Sequence, residues 1–130
     1  MPVLDTSFLV DLLRGDEEAL DALSEIEEEY QDLSTTAVNL LELFRGAYLS
    51  DRREENITKV IEIIGNLDTI GIGWETYPVY GALSASLKEK GIQPNEFDVV
   101  IAALTLGLDG IIVTRDQDFR RIPGLEVISY

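Results

Sequence analysis

Apolar positions along this chain fall into two kinds of segment, short unbroken runs and longer stretches at helical spacing. "PVL" before Asp5, "TIGIG", "GIIVT" and "LEVIS" are runs of the first kind and predict short strands, those of the interior buried on both faces. "TSFLVDLLRG" predicts a helix ending at Gly15, with Thr6 or Ser7 near its N-cap. "DEEALDALSEIEEEY" predicts a second amphipathic helix, with Leu20, Leu23 and Ile26 among its apolar positions. "DLSTTAV" is ambiguous and reads best as a short strand leading into a helix through "LLELFRGAYL". From about Asp51 to Leu67 the spacing of Ile57, Val60, Ile61 and Ile64 predicts a long helix. "WETYPVYGALSASLKEKG" predicts another, ending at Gly91, with Pro78 in the first turns where its missing N–H matters least. "PNEFDVVIAALTLG" predicts a last helix, capped by Asn95 and ending near Gly107.

Strands alternate with helices throughout, a pattern that predicts an α/β fold with a central, mostly parallel sheet flanked by helices on both faces. No repeat, low-complexity tract or linker divides the chain, so one domain over residues 1–130 is expected, long enough to bury a real core. The apolar fraction of 45% is that of a globular protein. No apolar run approaches the roughly 20 residues that span a bilayer. "MPVLDTS" reaches an acid at once, unlike a secretory signal. The absence of cysteine removes any disulfide framework and fits a cytoplasmic location, with no membrane partner expected.

Histidine is absent as well. That excludes Ser-His-Asp and Cys-His mechanisms and histidine acid–base work. It also removes the usual zinc ligands and leaves hard oxygen donors, which suit magnesium or manganese. Net charge is −15, from 25 acids against 10 bases, and this average surface disfavours contact with nucleic-acid phosphates. A metal held locally reverses that sign at one site. An acidic exterior also suits a basic protein partner.

Against that background, four acids stand beside apolar segments instead of in charged runs: Asp5 in "PVLDTS", Glu42 in "NLLELFRG", Asp98 in "EFDVVIAA" and Asp116 in "IIVTRDQDF". Carboxylates gathered at the edge of a core lose hydration and repel one another unless cations intervene. In a parallel α/β sheet, ligands collect at the carboxyl ends of strands, where Asp5 and Asp116 are expected. Each acid also has an ordinary role open to it. Asp5 suits a helix cap, Asp98 the first turn of a helix, Glu42 a polar stripe with Asn39 and Arg45, and Asp116 a turn with Asp118 capping the next segment.

Neighbouring residues add weaker expectations. Ala102 and Ala103 permit close packing beneath Asp98, and Gly46 leaves open the helix face next to Glu42. Thr6, Ser7 and Thr114 are placed to orient carboxylates or to line turns. Asp11 shares a polar stripe with Ser7 and Arg14 and is expected to be a solvated helix residue. Arg14, Arg45, Arg115, Arg120 and Arg121 are expected to balance acids, with phosphate contact the less favoured role. Trp74, Tyr77 and Tyr80 recur at helical spacing, which suits packing in a core or an interface better than an RNA-stacking platform.

Taken in order, "LDTSFLVDLLRG", "STTAVNLLELFRGA", "EFDVVIAALTLG" and "IIVTRDQDFRRIPGLEVI" make the chain resemble, from end to end, the PIN-domain ribonuclease family and in particular the VapC-type toxins of prokaryotic toxin–antitoxin pairs. The resemblance places the family's acidic residues on Asp5, Glu42, Asp98 and Asp116, with Asp118 as an auxiliary. It implies a PIN fold and magnesium- or manganese-dependent endonucleolytic cleavage of RNA. Asp5, Asp98 and Asp116 are then candidate metal ligands, and Glu42 either a ligand or the residue that positions the attacking water. A homodimer and a small inhibitory antitoxin are the implied partners. Competing readings are an RNA-processing PIN nuclease without an antitoxin and a non-catalytic acidic partner-binding protein. An aspartyl-phosphate mechanism is disfavoured, because "LDTS" lacks a second acid two residues after Asp5.

Overall fold

Val3 and Leu4, the apolar pair ahead of Asp5, form a two-residue strand, β1, that occupies the middle of a sheet. Alternate strand residues face opposite sides, so Val3 enters one buried cluster and Leu4 another. The computed structural model describes residues 1–130. Its other strands are β2 (Ser34–Thr36), β3 (Asp68–Ile70), β4 (Ile111–Val113) and β5 (Glu126–Ile128), in the order β3-β2-β1-β4-β5. All neighbouring pairs run parallel. The expected "TIGIG" strand ends at Ile70, before its two glycines.

The helices are α1 (Thr6–Leu13), α2 (Glu17–Glu29), α3 (Ala37–Leu49), α4 (Arg53–Ile64), α5 (Thr76–Glu89) and α6 (Glu96–Leu106). A 3₁₀ turn over Gln117–Arg121 connects β4 to β5. One buried cluster joins Leu83, Leu87, Ile101, Ile112 and Phe119 on the α5–α6 side. The other joins Phe8, Leu9, Ile26, Leu43 and Val60 among α1, α2, α3 and α4. The expected α/β architecture with both faces covered is therefore the one observed. Two apolar positions are corrected: Leu20 and Ile61 are exposed, because their helices bury narrower stripes than the spacing alone predicts.

β2 is polar in sequence and wholly buried in the fold. Buried hydroxyls are tolerated when each is hydrogen-bonded. Ser34 Oγ donates to the Pro2 carbonyl at 3.0 Å and Thr35 Oγ1 to the Leu4 carbonyl at 2.9 Å, which stitches β2 to β1. Thr36 then caps α3 in a reciprocal box with Asn39. The strand order reverses about β1, whose successors lie on opposite sides of it, and a crevice at such a switch is the usual ligand site of an open α/β sheet.

Phe119 is buried at 1% exposure and pins the 3₁₀ turn that carries Asp118 against this core. Phe119→Ala is expected to lower the unfolding free energy by about 3–5 kcal/mol in urea denaturation. A loss under about 1 kcal/mol would show that the turn is not anchored through this ring.

Candidate active site

Asp5 leaves β1 at the switch crevice and is 5% exposed. It occupies the N-cap position of α1 but makes no side-chain cap bond, so its carboxylate is directed elsewhere. Asn39 Nδ2 donates to Asp5 Oδ1 at 3.0 Å, and Thr114 Oγ1 donates to Asp5 Oδ2 at 2.6 Å. Ser7 Oγ lies 3.3 Å from the same Oδ2 and 3.0 Å from Thr114 Oγ1. Thr114 Oγ1 in turn accepts the backbone N–H of Asp116 at 3.0 Å. A single hydroxyl thus links the acids that follow β1 and β4.

Asn39 joins a third acid to the same network. Its Oδ1 accepts from the Thr36 hydroxyl at 2.7 Å, which leaves Nδ2 facing Asp5 and, at 2.9 Å, Thr6 Oγ1. Thr6 Oγ1 donates onward to Glu42 Oε1 at 2.7 Å. Glu42 follows Asn39 by almost one helical turn on α3, so the cap that starts the helix also sets the direction of its acid. No buried polar side-chain atom in the chain lacks a partner.

Asp98 meets the other acids through charge repulsion instead of hydrogen bonds. It sits in the first turn of α6, whose start is capped by Asn95 Oδ1 accepting from the Phe97 N–H at 2.8 Å. Burial pushes its carboxyl up from the usual 3.8 to about 7, with further upward pressure from Asp116, Asp5, Glu42 and Asp118 in that order. Burial likewise raises Asp5, against the opposing bonds from Thr114, Thr6, Asn39 and Ser7. Glu42 is raised by burial and by the Asp5 charge, with the Thr6 bond opposing. Acids from separate segments of the chain therefore share one electrostatic field.

The donor set is oxygen alone and suits a hard divalent cation. In this arrangement no three acids converge on one point at ligating distance. Asp5 is fixed by its bonds, whereas Glu42, Asp98 and Asp116 are half-buried arms at the rim. The chemistry of the donors fits magnesium or manganese. Asp116 already uses Oδ1 to accept the Asp118 N–H at 2.9 Å, so Asp116 is the capping residue of the turn and Asp118 is capped, the reverse of the sequence expectation.

Thr6, Ser7 and Thr114 orient carboxylates, Gly46 leaves open space beside α3, and Ala102 and Ala103 are fully buried on α6. Asn39 escaped the sequence reading, which placed it on a polar stripe with Glu42. The signal that points to it is the "TAVN" spacing, in which a residue of the capping box lies one turn before an acid. One expectation is corrected and one is narrowed. Asp11 is buried, not solvated, because Tyr130 and Arg115 supply partners from distant parts of the chain. Trp74 and Tyr77 do not pack into the core; they are 85% and 56% exposed and meet edge to face, and only Tyr80 leans on the interior.

The family model for the PIN domain matches residues 3–125. This chain belongs to the PIN-domain family. Ribonuclease VapC2 of Rickettsia felis is 25% identical over 124 residues, covering 95% of this chain and 92% of that protein. The fold is shared with VapBC2 of Rickettsia felis bound to a promoter DNA fragment, with a TM-score of 0.90, 23% identity and coverage of 98% and 97% of the two chains. DNA-bound VapBC of Salmonella typhimurium gives a TM-score of 0.88, 23% identity and coverage of 99% and 98%. The PIN fold expected from the ordered acidic motifs is thus the fold observed.

The raised Asp98 carboxyl makes stability depend on pH with a definite sign. Between about pH 4 and about 7 the folded chain holds a proton there that the unfolded chain has released, so this group's contribution to stability declines as pH rises. In chelator, the urea midpoint is expected to fall between pH 5 and pH 7.5, and to fall less in Asp98→Asn. Equal pH dependence in the two proteins would remove Asp98 from the shared field.

Proposed function

We propose that this PIN-domain chain is a metal-dependent endoribonuclease, the toxin of a VapBC-type toxin–antitoxin pair. The observation that carries the reading is the hydrogen-bond network in which Asn39, Thr6 and Thr114 link Asp5, Glu42 and Asp116 at one sheet edge, with Asp98 raised by its own burial and then by these neighbours. Such crowding is stable at neutral pH only with protons or cations present. The relatives support the rest of the reading: one is named a ribonuclease, and others are toxin–antitoxin complexes.

Asp5, Asp98 and Asp116 are the proposed metal ligands, with Asp118 auxiliary. Magnesium or manganese held there supplies the positive charge that activates water and offsets charge building on a phosphate. Asn39, Ser7 and Thr114 hold the Asp5 oxygens in fixed directions. Thr6 holds Glu42 through Oε1, which leaves Oε2 to orient the attacking water and accept its proton. Attack on phosphorus in line with the leaving oxygen breaks the P–O3′ bond and leaves 5′-phosphate and 3′-hydroxyl ends.

Two features of the surface would suit the proposed partners. Between α1, α3 and α4 lies a cleft of about 420 Å³ with Leu13, Leu43 and Val60 among its walls, and Arg14, Glu42 and Lys59 at its polar positions. A segment of the antitoxin seated there would approach the active site from the Glu42 side. Leu41, Trp74, Tyr77 and Phe97 remain exposed on and beside α3, α5 and α6, and apolar side chains in such number favour association with a second copy.

With magnesium or manganese, the purified chain is expected to cleave RNA and to stop in EDTA. The Asp5→Asn/Asp98→Asn variant is expected to lose at least about 10²-fold in rate, the scale of losing one electrostatic stabiliser of a transition state. Cleavage at the wild-type rate by that variant would dismiss the proposed site. In sedimentation velocity the wild type is expected to run as a dimer and Trp74→Glu to shift toward monomer; identical profiles would count against this surface.

A further inference from the structure

A second polar constellation lies beside the carboxylates and takes no part in holding them. Asp11, on α1, is 6% exposed, and a buried carboxylate needs a partner for each oxygen. Tyr130 Oη donates to Oδ2 at 2.5 Å, and Arg115 Nη1 lies 3.3 Å from Oδ1. The Tyr130 ring meets Phe8 edge to face with centroids 4.9 Å apart, which fixes the phenol. Burial and the bond to Asp11 push the phenol pKa upward, so it remains a donor.

Balancing Asp11 does not exhaust Arg115. Its side chain is 58% exposed, and a guanidinium has five N–H donors in a rigid fork. Its backbone N–H donates to Ser7 Oγ at 3.2 Å, and its neighbours in sequence are Thr114 and Asp116, so its stem starts within the carboxylate site. The head reaches toward Asp11, six residues beyond Asp5 and so about 9 Å along α1 at 1.5 Å per residue. That offset sets the guanidinium apart from the acids, with donors left over for a further anion. Arg121 is instead paired with Asp118, and Arg120 is bonded to Gln117 and Ser129.

The charge of the chain makes such a group necessary. RNA gains affinity chiefly through phosphate contacts with Lys and Arg, and a chain of net charge −15 offers few. A metal compensates only the phosphate it touches. We propose that Arg115 binds a backbone phosphate flanking the scissile bond, with Asp11 and Tyr130 as positioning residues that hold its guanidinium. The inference rests on the ribonuclease reading and adds a substrate contact to it.

Binding of a labelled single-stranded RNA, followed by fluorescence anisotropy across a salt series in an Asp98→Asn background, tests the contact apart from cleavage. Arg115→Ala is expected to weaken binding and to reduce the slope of log K against log salt by about 0.7, the increment for one phosphate on a single strand. Arg115→Lys is expected to retain the slope. Tyr130→Phe is expected to weaken binding with the slope kept. In the cleaving enzyme, Arg115→Ala is expected to raise KM with kcat little changed. If stranding Asp11 prevents folding, Asp11→Asn/Arg115→Ala removes the unpaired charge and takes the place of the single variant. An unchanged slope in the alanine variant overturns the proposal, whatever happens to affinity, because Arg115 then only balances Asp11. A reduced slope with no cleavage by the wild type upholds the phosphate contact and defeats the ribonuclease reading; cleavage with an unchanged slope does the opposite.

Discussion

Asp5 is a carboxylate withdrawn from water at the joint between β1 and α1, and the surrounding structure is arranged around that constraint. A buried charge is tolerable only if its oxygens are met by well-placed donors. Asn39 meets one oxygen and Thr114 the other, with Ser7 alongside. Each donor belongs to a different element, so satisfying Asp5 fixes the relative positions of α3, the end of β4 and the start of α1. Those elements, and the turn that follows β4, also carry Glu42 and Asp116. The bonds that make one acid acceptable therefore position two more.

Polar residues at the base of this arrangement serve two ends at once. Thr36 starts α3 by capping it and orients the Asn39 amide toward Asp5. Thr114 accepts from the turn that holds Asp116 and donates to Asp5. Ser34 and Thr35 bind the carbonyls of the β1 segment, which keeps a wholly buried polar strand in register beside it. Such networks are effective when complete and costly when broken, since a single deletion strands a group with no water nearby. Among the acids at the rim, Glu42 and Asp116 each take part in a hydrogen bond, whereas Asp98 is set by its place on α6 and meets the others only through repulsion.

Much of the fold was legible in the apolar pattern. The short runs of β1, β4 and β5 and the amphipathic spans of α1 to α6 carried the α/β alternation, and the order of the acidic motifs carried the PIN resemblance. β2 was the weak point, because hydropathy cannot distinguish a buried strand of hydroxyls from a loop until their acceptors are known. Asp11 was misjudged for the same reason: its partners stand at positions 115 and 130, and a helical stripe viewed alone does not contain them. Trp74 and Tyr77 suited a core or an interface equally by their spacing. Their exposure removes the core from that pair of roles.

Composition and local spacing were enough to limit the chemistry open to this chain. With no histidine or cysteine, only oxygen donors remain, and the acids next to apolar runs are the ones whose hydration folding would remove. Local spacing also placed those acids on their elements, since cap and strand-end positions depend on near neighbours in the chain. Tertiary structure decided which of them interact. Hydrogen bonds and charge repulsion act over a few ångströms in space, and residues 5, 39, 42, 98, 114 and 116 become neighbours only when parallel strands bring their carboxyl ends to one edge. The Asn39 amide, the Asp11–Arg115 pair and the raised Asp98 carboxyl all belong to that second class.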